Sequence, residues 1–334
     1  MKIAIVILNW NGRKLLETFL PSVVNYSKEA SIYLADNASN DDSVAYVKNN
    51  FPQLNIIQNK TNGGYAKGYN DALQHLKEDI FILLNSDVEV TPNWLIPIIS
   101  HFEKNKNTAI VQPKILNYIQ RSTFDYAGGS GGFIDSLGYP FCRGRIFQTL
   151  EKDTNQYNNA CKISWASGAC FAIKKEVFFK AGKLDEDYFA HQEEIDLCWR
   201  VNHLNYDIWA IPTSTVYHLG GGTLHAMHPK KTFLNFRNSL FNLVKNKKRN
   251  VFFSVIIRMI LDGLAGIKFL IELKPKHFLA ILKAHFSFYI YLPKMIKKRK
   301  SNYNNKENFT SLKSIVWLYF IKKNKKFSQI NDVS

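Results

Sequence analysis

Residues 80–84 form an unbroken apolar run, Ile-Phe-Ile-Leu-Leu, that stops abruptly at Asn85-Ser86-Asp87. Such a run reads as a strand buried on both faces, which requires a sheet covered by helices on either side. In an open sheet of that kind, ligands bind beyond the carboxyl ends of the strands. Asp87 and the Asn85 oxygen are hard donors that suit Mg2+ or Mn2+ and, through the metal, a diphosphate. The same residues also make an ordinary turn, so the motif needs its neighbours.

The neighbours repeat the pattern. Strands are predicted over 2–8, 32–35, 55–58, 80–84 and 109–112, with helices over 13–25, 44–50, 65–76 and 92–104 between them. This alternation predicts an α/β fold: a Rossmann-like, mostly parallel central sheet flanked by helices. Four polar loops then fall on one edge of the sheet, at 9–12, 36–39, 62–70 and 85–87. Asp36 can accept hydrogen bonds from a ribose or a base N–H, or simply cap a turn. Gly63, Gly64 and Gly68 let backbone N–H groups and a helix N-terminus approach an anion. Together the loops suit a nucleoside diphosphate.

Beyond residue 112 the pattern changes. Residues 113–161 are rich in Gly, Tyr, Phe and Asn and read as loops and short strands over the active face. A strand at 167–173 and a helix at 174–181 follow, then a helix at 193–204 with Ile195, Cys198, Trp199 and Leu204 inward. Glu193, Glu194 and Asp196 open that helix, where its dipole favours acids. A carboxylate held beside a metal-bound sugar diphosphate can also take a proton from a hydroxyl. Short strands are predicted at 207–211 and 215–217. His218 precedes Gly220-Gly221-Gly222-Thr223 and reads equally as a packed side chain or a metal ligand. Arg237 and Asn238 lie on the next helix, either as surface groups or in reach of phosphate oxygens.

The net charge of +17 is concentrated at one end. Residues 231–334 carry 22 Lys and Arg against 4 Asp and Glu, while the first 230 residues are close to neutral. The region reads as helices only, over 232–245, 251–273, 277–296 and 311–321, with lysine clusters between long apolar faces. Such interleaving fits an anionic membrane surface and argues against nucleic acid. The 251–273 stretch has the length to span a bilayer, but Arg258, Asp262, Lys268 and Glu272 interrupt it and favour lying on the surface. The four cysteines, 142, 161, 170 and 198, show no CxxC spacing, which speaks against a structural zinc or redox pair. No secretory signal is read at the N-terminus, so the expected location is cytoplasmic, peripheral on the inner face of the membrane.

These residues resemble a family. Ile-Leu-Asn-Trp-Asn-Gly at 7–12, Asp-Asn-Ala-Ser at 36–39, Asn-Gly-Gly-Tyr-Ala-Lys-Gly-Tyr-Asn at 62–70 and Leu-Asn-Ser-Asp at 84–87 occur in order. Trp-Ala-Ser-Gly-Ala-Cys at 165–170, Glu-Glu-Ile-Asp-Leu-Cys-Trp-Arg at 193–200, Val-Tyr-His-Leu-Gly-Gly-Gly-Thr at 216–223 and Phe-Arg-Asn at 236–238 follow. The chain is similar to the inverting family 2 glycosyltransferases with a GT-A fold, in their rhamnosyltransferase-like branch. That resemblance implies a catalytic domain over 1–230, with a nucleotide-binding half (1–112) and an acceptor half (113–230), and a basic, all-helical extension over 231–334.

It also implies roles. Asn9, Asp36, Asn62, Gly64, Gly68, Asn70 and Arg237 would bind the nucleoside-diphosphate sugar. Asp87, His218 and Asn85 would hold Mg2+ or Mn2+. Glu194 would be the general base and Glu193 its neighbour, although the family more often has Asp at the base position, which leaves Glu193 as an alternative. Gly168, Ala169 and Asp196 would line the glycan or lipid-linked acceptor, and Arg143 and Arg145 fit a phosphate or acceptor contact. The expected reaction is one displacement at the anomeric carbon of a dTDP-rhamnose or UDP-sugar. A nucleotidyltransferase would need no base at 193–196, and a non-catalytic scaffold need not keep these groups together.

Overall fold

The computed structural model describes residues 1–220, 228–299, 312 and 314–330. It opens with the expected alternation: β1 (Ile3–Asn9), α1 (Arg13–Tyr26), β2 (Ser31–Asp36), α2 (Ser43–Asn50), β3 (Asn55–Gln58), α3 (Gly64–Leu73), β4 (Ile80–Asn85), β5 (Val88–Val90), α4 (Leu95–Lys104) and β6 (Thr108–Asn117). Short strands β7 (Gly132–Ile134), β8 (Pro140–Cys142), β9 (Arg145–Ile146), β10 (Thr149–Leu150) and β11 (Cys161–Lys162) come next. Then follow β12 (Cys170–Lys174), α5 (Lys175–Lys180), α6 (Glu193–His203), β13 (Asp207–His218), α7 (Pro229–Asn246), α8 (Val251–Ile271) and α9 (Pro275–Lys298).

Nine strands make one central sheet in the order β11-β13-β6-β12-β4-β1-β2-β3, with β5 paired to β13. β1 to β4 are mutually parallel where they pair, as expected. β12 is inserted antiparallel between β4 and β6, so β6 and its parallel neighbour β13 run in the same direction as β4. The two strands predicted at 207–211 and 215–217 are one strand, with a register shift between Ile211 and Thr215. Pro212 lies in that gap, and a proline cannot donate to the ladder. β5, three residues long, was not anticipated; so short a strand shows no alternation.

Side chains of the central strands alternate between two cores, as the two-residue repeat requires. Ile5, Ile7, Ile82 and Leu84 pack under α1 and α4 with Leu16, Leu20, Trp94 and Ile98. Val6, Phe81, Leu83 and Ile173 pack under α3, α5 and α6 with Tyr69, Leu73, Phe178 and Leu197. The 113–161 region forms a second, four-stranded sheet, β10-β9-β8-β7. Phe133 and Phe141 in it pack on Phe327, with ring centroids 5.1 and 6.1 Å apart.

The described residues after 228 are mostly helical. α9 packs along α7, and α8 against both. The helix predicted at 311–321 is reduced to a π-turn at Trp317–Ile321, and residues 311 and 313 lie outside the described residues. Leu83 is fully buried in β4. Leu83→Ala is expected to cost about 2–5 kcal/mol through the lost contacts and the cavity left behind, read from chemical denaturation.

Candidate functional site

The sheet topology assembles one edge. Asn9, Asp36 and Asn85 close β1, β2 and β4, and His218 closes β13, so all four lie at carboxyl ends on the same side. β12 runs the opposite way, so its start lies there too, and Gly168 and Ala169 precede that start. The Asn85 N–H donates to the Ala169 carbonyl at 2.9 Å. Residues from both halves of the chain thus meet where α/β sheets bind ligands.

At β1 and β2 the polar groups lock together. Asn9 Nδ2 donates to Asp36 Oδ1 at 3.1 Å, and Ser39 donates to both Asp36 oxygens. Asn9 Oδ1 is buried and accepts no bond among the described residues. Asn37 donates to Asn62 Oδ1 and accepts from Asn59, whose amide also donates to the Gly68 carbonyl. The glycines serve close packing. A Cβ on Gly68 would lie 2.8 Å from Leu8 and 3.0 Å from Asn37 Nδ2. Gly64 has φ +81°, and a Cβ there would lie 2.4 Å from the Phe189 carbonyl oxygen. The Gly64 N–H is taken by Asn62 Oδ1 and the Tyr65 N–H by the Phe189 carbonyl, so the start of α3 is not an open anion cradle.

Across the edge, His218 stands between two carboxylates. Its Nε2 is 3.2 Å from Asp87 Oδ1 and its Nδ1 is 3.0 Å from Asp125 Oδ1. Burial opposes charge on the imidazole, but Asp87 and then Asp125 outweigh it and raise its pKa to about 10. Asp125 was not anticipated, because it lies in the aperiodic stretch after β6. At that pKa the ring is protonated on both nitrogens; a divalent cation that displaced the Nε2 proton would leave Asp125 on Nδ1 to orient the imidazole. Among the described residues no three His, Cys, Asp or Glu side chains are grouped to hold a metal alone. A cation held by Asp87 and His218 would take its remaining oxygens from Asn85, water and a diphosphate. The donor set fits Mn2+ or Mg2+ in that form.

The acid pair opens α6. Glu193 is 3 % exposed, and Oε2 of both Glu193 and Glu194 is buried without a hydrogen-bond partner. Burial raises the Glu194 pKa to about 7. Burial and then the Glu194 charge push Glu193 well above the usual range. The Glu194 carboxyl carbon lies 3.8 Å from where a Cβ on Gly168 would sit, and the Tyr65 hydroxyl donates to the Gly168 carbonyl at 2.7 Å. The absence of a side chain at Gly168 thus lets Tyr65 pack close beside it, next to the Glu194 carboxylate.

The loop before α6 is strained. Phe189, His191 and Gln192 have φ of 64°, 68° and 72°, a region that costs a non-glycine residue about 1–3 kcal/mol each. α7 holds it. Asn238 Nδ2 donates to the carbonyls of Tyr188, Ala190 and His191, and Asn242 reaches the Gln192 side chain.

Four expected contacts are absent. Arg237 does not face a phosphate: it is buried, donates to the carbonyls of Asp187 and Tyr188, and lies between the rings of Phe233 and Phe241. Asn70 is spent on the Leu184 backbone and Glu186. Gly68 packs α3 on β1, as above. Asp196 is fully buried and cannot line an acceptor; it pairs with Arg200 and Lys245 at 2.7 Å each and accepts from Asn246. The segment 221–227, with most of the glycine-rich stretch after His218, lies outside the described residues. A separate groove of about 450 Å³, lined by Tyr33, His75 and Glu78 among others, lies at the amino ends of β3 and β4, on the opposite edge.

The family model for glycosyl transferase family 2 matches residues 4–180. An N-acetylglucosaminyl-diphospho-decaprenol L-rhamnosyltransferase of Mycobacterium tuberculosis is 24% identical over 220 residues, covering 61% of this chain and 71% of the relative. In fold, the chain is similar to the mannosyltransferase PcManGT from Pyrobaculum calidifontis, solved with GDP-Man and Mn2+: TM-score 0.54, 11% identity, 86% of this chain and 87% of that one. It is also similar to GalNAc-T7, solved with UDP, GalNAc and Mn2+: TM-score 0.53, 20% identity, 65% of this chain. This chain spans only 43% of GalNAc-T7.

The Asp196 cluster gives a test of stability. Burial alone would raise its pKa, but Arg200 and then Lys245 hold it well below the usual carboxylate range. The folded value lies below the unfolded one, so the contribution is complete above the unfolded pKa of about 4 and is lost as pH falls below it. Asp196→Asn leaves Lys245 and Arg200 short of a counter-charge. It is expected to lower stability by about 3–5 kcal/mol at neutral pH and to flatten the acid side of a melting-temperature profile.

Proposed function

The chain belongs to glycosyl transferase family 2, with a GT-A fold, and on that premise we propose that it moves a sugar from a nucleoside-diphosphate sugar to a hydroxyl of a lipid-linked glycan, inverting the anomeric carbon. The observation that carries this reading is the buried acid pair, in which Oε2 of each glutamate has no hydrogen-bond partner among the described residues. Glu194 lies beside Gly168, and Ala169 is hydrogen-bonded to Asn85 on the strand edge that also carries Asp87 and His218.

Each group has work suited to its place. Asp36, steadied by Asn9 and Ser39, receives the base or ribose, and Asn62 and Gly64 shape the wall beside it. Asp87 and His218, with Asn85, would hold a divalent cation, whose charge would offset that of the leaving diphosphate. Gly168 and Ala169 leave room for the acceptor. Glu194 takes the acceptor proton as the oxygen bonds to the anomeric carbon and the bond from that carbon to the phosphate oxygen breaks. Glu193, more strongly protonated, keeps its own proton and limits the charge beside the base. The rhamnosyltransferase relative motivates a dTDP-rhamnose or UDP-sugar donor and a diphospholipid acceptor. The catalytic unit would comprise 1–230 together with α7, and the rest of 231–334 would attach it to a membrane.

Glu194→Gln should abolish transfer while donor binding and melting temperature hold; full activity would remove Glu194 from its role. Transfer by the parent should rise with pH through about 7 as Glu194 ionises, and a flat profile between pH 6 and 8 would point to another base. Asp87→Ala should remove the Mn2+-dependent part of nucleotide binding in calorimetry. Unchanged binding with and without Mn2+ would remove Asp87 as a ligand.

A further inference from the structure

Helix α8 is built inside out. Its buried residues are Ser254, Arg258, Asp262 and Gly266, one polar or small residue per turn along a single stripe. That stripe meets the protein. Arg258 donates to Asp262 at 2.9 Å and to Ser239 at 2.8 Å, and lies 3.7 Å above the Tyr139 ring. His285 of α9 is 3.3 Å from the other Asp262 oxygen, and Gly266 lets Phe278 approach. The opposite face is apolar and open: Phe252 is 71% exposed, Phe253 66%, Ile260 61%, Leu264 57% and Ile271 77%. A helix packed on a water-soluble protein shows the reverse arrangement.

α9 runs antiparallel beside it, with Gly266 near Phe278 and Met259 near Tyr289. It too shows apolar side chains outward: Leu282, Phe286, Tyr289 and Ile290 are each about half exposed or more. α9 carries five lysines and no Asp or Glu; Lys294 and Lys298 pair with Asp187 and Asp185, and Lys276, Lys283 and Lys297 are exposed. So large an apolar surface exceeds what single exposed residues explain. No helix among the described residues is long and apolar enough to cross a membrane.

We propose that the α8–α9 hairpin sinks its outer face into the apolar layer of one leaflet of an anionic bilayer, with the polar Ser254–Arg258–Asp262 stripe seating it on the catalytic unit. Of the charges that seemed to keep this stretch out of lipid, Arg258 and Asp262 point inward and are paired, while Lys268 and Glu272 pair with each other at the exposed end of the helix. The exposed Lys276, Lys283 and Lys297 of α9 can meet anionic headgroups, and Lys283, between Leu282 and Phe286, can extend to that level. Attachment then depends mainly on apolar burial, with charge second. This inference stands apart from the catalytic reading, because no residue of the outer face belongs to the site.

The test is cosedimentation of the full chain with phosphatidylcholine vesicles, with and without phosphatidylglycerol, at salt of about 0.1 M and about 1 M, where the Debye length falls to about 3 Å. Binding to the anionic vesicles should persist at high salt. The double variant Ile260→Asp, Leu264→Asp should lose about tenfold or more of that partition, with melting temperature and nucleotide binding unchanged. Three results would overturn the proposal: a parent chain that stays in the supernatant, a double variant that partitions like the parent, or binding abolished by salt alone. A dimer in light scattering that the double variant dissociates, without vesicle binding, would assign the face to a second copy and overturn it as well.

Discussion

The pairing of β12 against β4 is the constraint on which the site depends. Five backbone partners, from Cys170 with Leu84 to Lys174 with Ile80, bring the second half of the chain antiparallel onto the first. Because β12 runs against β4, its start abuts the end of β4. Gly168 and Ala169 are thereby carried to Asn85, and α6 follows with its acid pair. A parallel insertion would have placed Cys170 and its neighbours at the far edge, away from Asp87.

A second constraint is local and strained. Three left-handed residues precede α6, and neither Phe nor Gln favours that geometry, though His adopts it more readily. It persists because the side chains of α7 satisfy the carbonyls that the unusual backbone exposes. Asn238 alone accounts for three of them. Lys294 and Lys298 of α9 add charge pairs to Asp185 and Asp187 just upstream. The helical extension is therefore tied to the segment that presents the proposed base, and α7 belongs with the catalytic unit in energy as well as in space.

The same physics explains how charge is distributed. Buried charges in the interior come in satisfied groups, such as Asp196 with Lys245 and Arg200, or Asp262 with Arg258 and His285. Among buried carboxylates, Glu193 and Glu194 each keep one oxygen without a hydrogen-bond partner among the described residues. A group left without a partner costs stability and persists where it has chemical work to do. That contrast separates the acid pair from Asp196, two residues away on the same helix.

By itself, the sequence determined the elements and their order. Apolar periodicity located β1 to β4, their helices and the long helices of the extension to within a few residues, because period and turn chemistry are local properties. It also singled out Asp36, Asp87, Glu193, Glu194 and His218. Only the tertiary structure decided which way side chains face and what they touch. Arg237, Asn70 and Asp196 look available in a motif, yet each is consumed by a partner 49 to 116 residues away. Asp125 carries no local signal, and its place behind His218 follows from the path of an aperiodic loop. Arg258 and Asp262 break a hydrophobic stretch when read along the chain, but on the folded helix they point inward and leave the outer face apolar. The physical reason is common to all of these: burial and charge pairing are set by neighbours in space, which composition and spacing do not encode.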